Sequence, residues 1–257
     1  MTDLASSVAL FTGGTSGIGL ACAEAFAAAG VAGIMLAGRA AERGAAATAR
    51  LQAATPGLDV RFVSADVATP EGAQTACTAC LDAFGRVDAL VSTAGGSAIP
   101  TLFHELPLGV VSPTIDTIMS GVILPARAVL PQMMAQKSGA IICVASDAGK
   151  LATPGEVAIG AAMAGIVMFC RGLAIEAKRS SIRVNCLTPS IVRDTALYDV
   201  LMADPFAGKL FSKAEELANL GVVEPDDLAA LAVFLASPAA AKLTGQAISV
   251  NGGISAA

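Results

Sequence analysis

The chain reads as a single α/β domain, a doubly wound parallel sheet of seven strands with helices on both faces. Three observations predict it. Short apolar runs alternate with helical stretches along the sequence. The first apolar run passes directly into a glycine-rich turn that opens a helix. No linker, repeat or low-complexity segment divides the 257 residues, a length that one core accommodates.

Val8–Thr12 (VALFT) is the first strand, followed at once by Gly13-Gly14-Thr15-Ser16-Gly17-Ile18-Gly19. An Ala-rich helix then runs to Gly30, a residue type suited to the left-handed position that ends a helix. Lacking side chains, such a turn lets a pyrophosphate approach the backbone, and the helix N-terminus favours its charge. The order strand, turn, helix is Rossmann-like. The second strand, 34–37, ends at Gly38-Arg39. Folds that prefer NAD place an Asp or Glu here for the ribose hydroxyls, and this chain has none. Arg39 either meets a 2′-phosphate or is the solvated start of a helix carrying Glu42, Arg43 and Arg50. The third strand, 60–64, leads to Ala65-Asp66-Val67, and a helix spans Pro70–Phe84. The turn Gly85-Arg86-Val87-Asp88 precedes the fourth strand, 89–93. A long helical region covers 111–136, and an apolar strand at 140–145 ends beside Ser146. A second long apolar helix covers 157–178, and Ile182–Pro189 is the sixth strand. Residues 190–224 are mixed and loop-rich, with short helices. Pro225 starts a helix with Asp226 and Asp227 in its first turn, and Ala247–Val250 is the seventh strand.

Composition narrows the function classes. Apolar residues make up 54% and charged residues 14%, so the elements are expected to bury one another or another subunit. A net charge of −5 and a pI near 4.9 argue against a nucleic-acid partner. Gly, Pro and polar residues interrupt every long apolar run, so no membrane span is expected. The start MTDLASSVALFTGG has no basic region, which predicts no secretory signal and a cytoplasmic location. Six cysteines lie at 22, 77, 80, 143, 170 and 186. Cys77 and Cys80 form a CxxC, but inside a helical pattern and with no second Cys/His pair, so no metal site is expected. The lone histidine, His104, falls in a loop-like stretch.

Several ordered segments resemble the short-chain dehydrogenase/reductase family. TGGTSGIG at 12–19 is similar to its glycine turn, Asp66-Val67 to its adenine-contacting pair, and FGRVDALV at 84–91 to the lead-in of strand four. SIRVNCLTP at 181–189 and TGQAISVNGG at 244–253 resemble its late signatures. The resemblance covers nearly the whole chain and implies NAD(P) contacts at Gly13, Ser16, Gly17, Ile18, Gly19, Arg39, Asp66, Val67, Ala94 and Gly95.

The family's catalytic set departs at three places. Its members exchange a proton through a tyrosine phenol whose pKa, about 10 when free, is lowered by a lysine one helical turn on. Counting from Ser146 puts Ile159 at the tyrosine position and Met163 at the lysine position. The helix asparagine is replaced by Ile118. The only tyrosine is Tyr198, and no lysine lies between Lys150 and Lys178. The family's NNAG reads Ser92-Thr93-Ala94-Gly95, and Ser190 follows Pro189 in place of glycine. Three apolar replacements predict a collapsed, dry pocket, because exchanging a whole polar set for packing groups is nearly neutral.

That pattern predicts a non-catalytic subunit that supports an active homologous dehydrogenase in a hetero-oligomer, as in two-subunit members acting on a hydroxyacyl-CoA. The assembly would be a tetramer built through helices 111–136 and 157–178, with NAD(P) on the partner and no cofactor, or a weakly held one, here. Two alternatives stand beside it. One is an NAD(P)-dependent oxidoreductase with relocated acid–base groups among Asp147, Lys150 and Glu156; the other is a dinucleotide-binding regulator.

Overall fold

The structure, a computed structural model, describes residues 3–96 and 98–257. Its strands are β1 (Val8–Thr12), β2 (Gly33–Gly38), β3 (Asp59–Ser64), β4 (Ala89–Ser92), β5 (Gly139–Val144), β6 (Ile182–Pro189) and β7 (Ala247–Val250). The helices are α1 (Gly17–Ala28), α2 (Ala41–Ala54), α3 (Pro70–Phe84), α4 (Leu108–Gln136), α5 (Val157–Ala177), α6 (Ala196–Ala203), α7 (Pro205–Leu217) and α8 (Pro225–Ala236). All strand pairs are parallel, in the order β3-β2-β1-β4-β5-β6-β7. The order reverses between β1 and β4, so a crevice opens beyond their C-terminal ends, where such sheets bind ligands.

Side-chain alternation along each strand divides the core between two faces. On one face Leu10, Met35, Leu90, Ile141 and Val184 meet α3, α4 and α5. On the other Phe11, Ile34, Leu36, Val91 and Ile142 meet α1, α2 and α8. Phe11 and Phe26 are fully buried there, edge to face at 5.2 Å. Truncating either to alanine removes about 3–5 kcal/mol. The doubly wound architecture read from the sequence is the one observed.

Local chemistry sets the element ends. The Thr69 hydroxyl accepts from Gly72 N at the start of α3, Pro70 occupies its first turn, and Gly85 ends it at φ 75°. Glu224 and Asp227 form a capping box on α8. α4 starts three residues before the sequence reading because Leu108 is 90% exposed, and burial periodicity carries no mark of it. Residues 190–224 are more ordered than expected. Thr195 caps α6 and Asp204 caps α7, the latter accepting from Phe206 N and Ala207 N at 2.9 and 2.8 Å. These two helices share a small core of Ile191, Leu201, Ala207 and Phe211, above the C-terminal ends of the strands.

Two helical stretches, Leu108–Gln136 and Val157–Ser180, are long and apolar enough to cross a membrane, which the interrupted apolar runs did not predict. Both pack an inner face on the sheet, through Ile118, Val122 and Val129 in α4 and Ile166, Cys170 and Ala174 in α5. Their outer faces leave Met134, Met168 and Ile175 exposed.

Candidate active site

The glycine turn is closed on one side and open on the other. Gly13 sits at φ 75° and Gly17 at φ 50°, backbone that favours glycine. A Cβ on Gly19 would press on the Gly13 carbonyl and lie 2.5 Å from Thr93 Oγ1, so this glycine is demanded by packing. A Cβ on Gly17 would find nothing nearer than Thr195 at 3.5 Å, and at Gly95 nothing within 4 Å. Ser16 stands at the N-cap of α1 without capping it through its side chain. These open positions border a cavity of about 720 Å³, a cradle that fits the phosphates of a dinucleotide.

At one end of the cavity stand Gly38, Arg39, Arg43, Asp66 and Val67, at the tips of β2 and β3. Asp66 Oδ1 accepts from Ala68 N at 3.1 Å and shapes the loop, while Val67 is buried. Arg39 and Arg43 form no ion pair among the described residues, so two free positive charges border the site where an acidic residue would favour NAD. The sequence reading named Arg39 and left Arg43 to the helix surface; Arg43 lies in the first turn of α2, just after the loop that carries Arg39.

In the centre, hydroxyls replace the family's asparagines. Thr12 Oγ1 and Ser92 Oγ share a hydrogen bond at 3.0 Å, and Thr93 Oγ1 donates to Thr12 O at 2.8 Å. Ser92 Oγ also donates to Gly121 O at 3.2 Å, while a Cβ on Gly121 would lie 2.5 Å from Ala94 O. The network ties β1, β4 and α4 together and fixes the Ala94-Gly95 wall of the cavity.

At the other end Ser146, Ile118, Ile159 and Met163 all line the same cavity. The expectation of a collapsed pocket is wrong, since these residues border a cavity of about 720 Å³. Ile118 and Ile159 are buried in the core beside the sheet, so they border the space without filling it. Glu156 lines this end of the cavity as well.

The polar groups near Ser146 separate into two sets. Ser146 Oγ accepts from Ala148 N at 3.2 Å, which leaves its own proton free to donate. Asp147 is 5% exposed; its Oδ2 accepts from Asn251 Nδ2 at 2.5 Å and Ser255 Oγ at 3.0 Å, and its Oδ1 from Ser249 Oγ at 3.3 Å. Lys150 Nζ lies 3.8 Å from Asp147 and donates to Ser249 Oγ and, at 2.6 Å, to Ala257 O. That pair is committed to holding residues 249–257. Sequence reasoning missed these partners because they lie about a hundred positions away and carry no local signal.

Glu156 differs. It lines the cavity, stands at the N-cap of α5 and makes no capping hydrogen bond through its side chain. Burial raises its carboxyl from the ordinary 4.5 to about 7, against a smaller downward pull from the Thr153 hydrogen bond. Gly155, at φ 81°, lets the ring of Phe206 from α7 pack beside it: a Cβ there would lie 2.5 Å from that ring.

Other candidates lie elsewhere. Tyr198 OH donates to Glu215 Oε1 at 3.0 Å, a carboxylate that also pairs with Arg193. His104 is 78% exposed beside Glu105. All six cysteines are buried and free, and burial pushes Cys22 and Cys80 up to about 12, which keeps them protonated. Among the described residues no group of three or more His, Cys, Asp or Glu side chains could hold a metal.

A family described as enoyl-(acyl carrier protein) reductase matches residues 13–255. The chain is 34% identical over 255 residues to a 3-oxoacyl-[acyl-carrier-protein] reductase of Synechocystis, covering 99% of each. It is 32% identical to a 2,3-dihydroxy-2,3-dihydro-p-cumate dehydrogenase of Pseudomonas putida, covering 97% of this chain and 95% of that protein. Among solved structures it resembles, with a TM-score of 0.90, 31% identity and 100% of both chains covered, an NADPH-bound short-chain oxidoreductase of Pseudomonas aeruginosa PAO1 containing an atypical catalytic centre. These similarities overturn the expectation of a non-catalytic supporting subunit. Full-length relatives are named as reductases and dehydrogenases, and one likeness joins an atypical centre to bound NADPH. Missing the usual residues is therefore no mark of inactivity.

Proposed function

Because this chain belongs to the short-chain dehydrogenase/reductase family, we propose that it is an NADP(H)-dependent oxidoreductase whose acid–base chemistry does not use a tyrosine–lysine pair. One observation carries the reading. A single cavity joins the open glycine turn and two unpaired arginines to Ser146 and Glu156.

When bound, the cofactor supplies or accepts a hydride at a carbonyl or carbinol carbon. The chain does the rest. Amides at the start of α1 would hold the pyrophosphate, aided by the positive end of the helix. Arg39 and Arg43 suit a 2′-phosphate, and no acid stands at the end of β2 to oppose it. Ser146 can donate its hydroxyl proton to the substrate oxygen and orient it. Leu201, Leu210 and Phe211, from α6 and α7, border the cavity as a lid and limit water, which strengthens polar interactions inside. Support for the cofactor comes from the likeness to the NADPH-bound oxidoreductase. The reductase relatives make 3-oxoacyl thioesters and simple ketones the first substrates to test. A cytoplasmic location accords with six unpaired thiols.

The test is fluorescence titration with NADPH and NADH, followed by reduction of acetoacetyl-CoA and ethyl acetoacetate read at the NADPH absorbance band. Tighter binding of NADPH, eroded when Arg39 and Arg43 are both changed to Ala, is expected. A protein that binds neither nucleotide refutes the proposal.

A further inference from the structure

Resting on that oxidoreductase reading, we infer that Glu156 is the catalytic residue that exchanges the proton with the substrate oxygen, from a point one helical turn upstream of Ile159. Glu156, Ile159 and Met163 border one cavity with Ser146, so a carboxyl-bearing residue lines the space where the apolar pair supplies no proton donor. Elimination points the same way. Asp147 and Lys150 are engaged with Ser249, Asn251, Ser255 and the Ala257 carbonyl, and Tyr198 is held by Glu215. Ser146 has a hydroxyl but no base within its hydrogen bonds.

The environment of the carboxyl matches the role. It has no salt-bridge partner among the described residues, and its shift comes from burial and Thr153 alone. The other ionisable groups along the cavity are the Asp147 just described, with Arg39, Arg43 and Asp66 at the far end. From the lid, Phe206 packs against Gly155 with an apolar ring, and Pro100 approaches the same glycine. A carboxyl held neutral near pH 7 can give a proton and take it back, as a general acid–base group must.

The step balances as follows. In reduction the carbonyl carbon receives hydride from the dihydronicotinamide, which is oxidised, and the C=O π pair moves onto oxygen. Glu156 gives its carboxyl proton to that oxygen, forming the alcohol O–H, and is left as carboxylate. Solvent returns the proton after product leaves. In oxidation the carboxylate removes the hydroxyl proton as hydride departs from carbon.

The experiment compares wild type with Glu156→Gln and Glu156→Asp in three measurements: NADPH binding by fluorescence, reduction of acetoacetyl-CoA and ethyl acetoacetate against pH, and carbon-13 NMR titration of glutamate carboxyls in the free protein. The inference expects the glutamine variant to bind NADPH within about twofold of wild type. Its kcat should fall by roughly 10²–10⁴, with partial return in the aspartate variant. Wild-type reduction should decline as pH rises through about 7, and the glutamine variant should lack both this limb and one carboxyl signal titrating near 7. Wild type that binds and reduces, with the glutamine variant equally fast and the same pH profile, overturns Glu156 and leaves the oxidoreductase reading standing. Wild type that neither binds nor reduces overturns both.

Discussion

Glu156→Gln should stabilise the cofactor-free protein at pH 8 while disabling it. The wild-type carboxyl is shifted from 4.5 in the unfolded chain to about 7 in the folded one. Between those values the folded state holds a proton that the unfolded state releases, so stability falls as pH rises through the window and levels off above it. Each unit is worth about 1.4 kcal/mol, so the full shift costs about 3 kcal/mol at pH 8. Part of the side chain meets solvent, and screening lowers this to about 2 kcal/mol. Glutamine has the same shape and no charge to desolvate. Urea unfolding at pH 5 and pH 8, with both proteins free of nucleotide, measures the difference. The variant's advantage should be small at pH 5 and reach about 2 kcal/mol at pH 8, a shift of roughly 4–8 °C in Tm for a chain of this size. An advantage of the same size at both pH values refutes a desolvated carboxyl at this position.

Gly19→Ala should weaken NADPH binding at least tenfold in the fluorescence titration and cost about 1–3 kcal/mol in urea, because its Cβ meets Thr93 Oγ1 and the Gly13 carbonyl. Asp147→Ala removes the acceptor shared by Asn251, Ser249 and Ser255 and should lower stability by about 3 kcal/mol. Limited proteolysis should then cut residues 251–257 faster than in wild type. Tyr198→Phe removes one hydrogen bond to Glu215 and should leave kcat within about twofold, with a stability loss of about 1 kcal/mol or less.

The sheet was legible because its signals are local. Val8–Thr12, Pro70–Phe84, Ile182–Pro189 and Ala247–Val250 have the bounds that apolar runs and flanking Gly, Pro and Asp residues suggested. The glycine turn was legible for the same reason, since its backbone needs are written in residue type at Gly13, Gly17 and Gly19. The start of α4 was not, because exposed Leu108 lies outside any burial periodicity. The lid helices were seen only as short pieces, since their core is four residues drawn from 191 to 211.

By itself the sequence determined the doubly wound fold, the glycine turn and the absence of a tyrosine and a lysine at 159 and 163. Each follows from residue type at fixed spacing. Only the tertiary structure decided which of Asp147, Lys150 and Glu156 is free to act. Adjacent in the chain, the three look equivalent, but residues 249–257 return to the first two and leave Glu156 alone. Burial then raises the remaining carboxyl. Desolvation and hydrogen bonding depend on what folds back from a distance, and no local pattern encodes that.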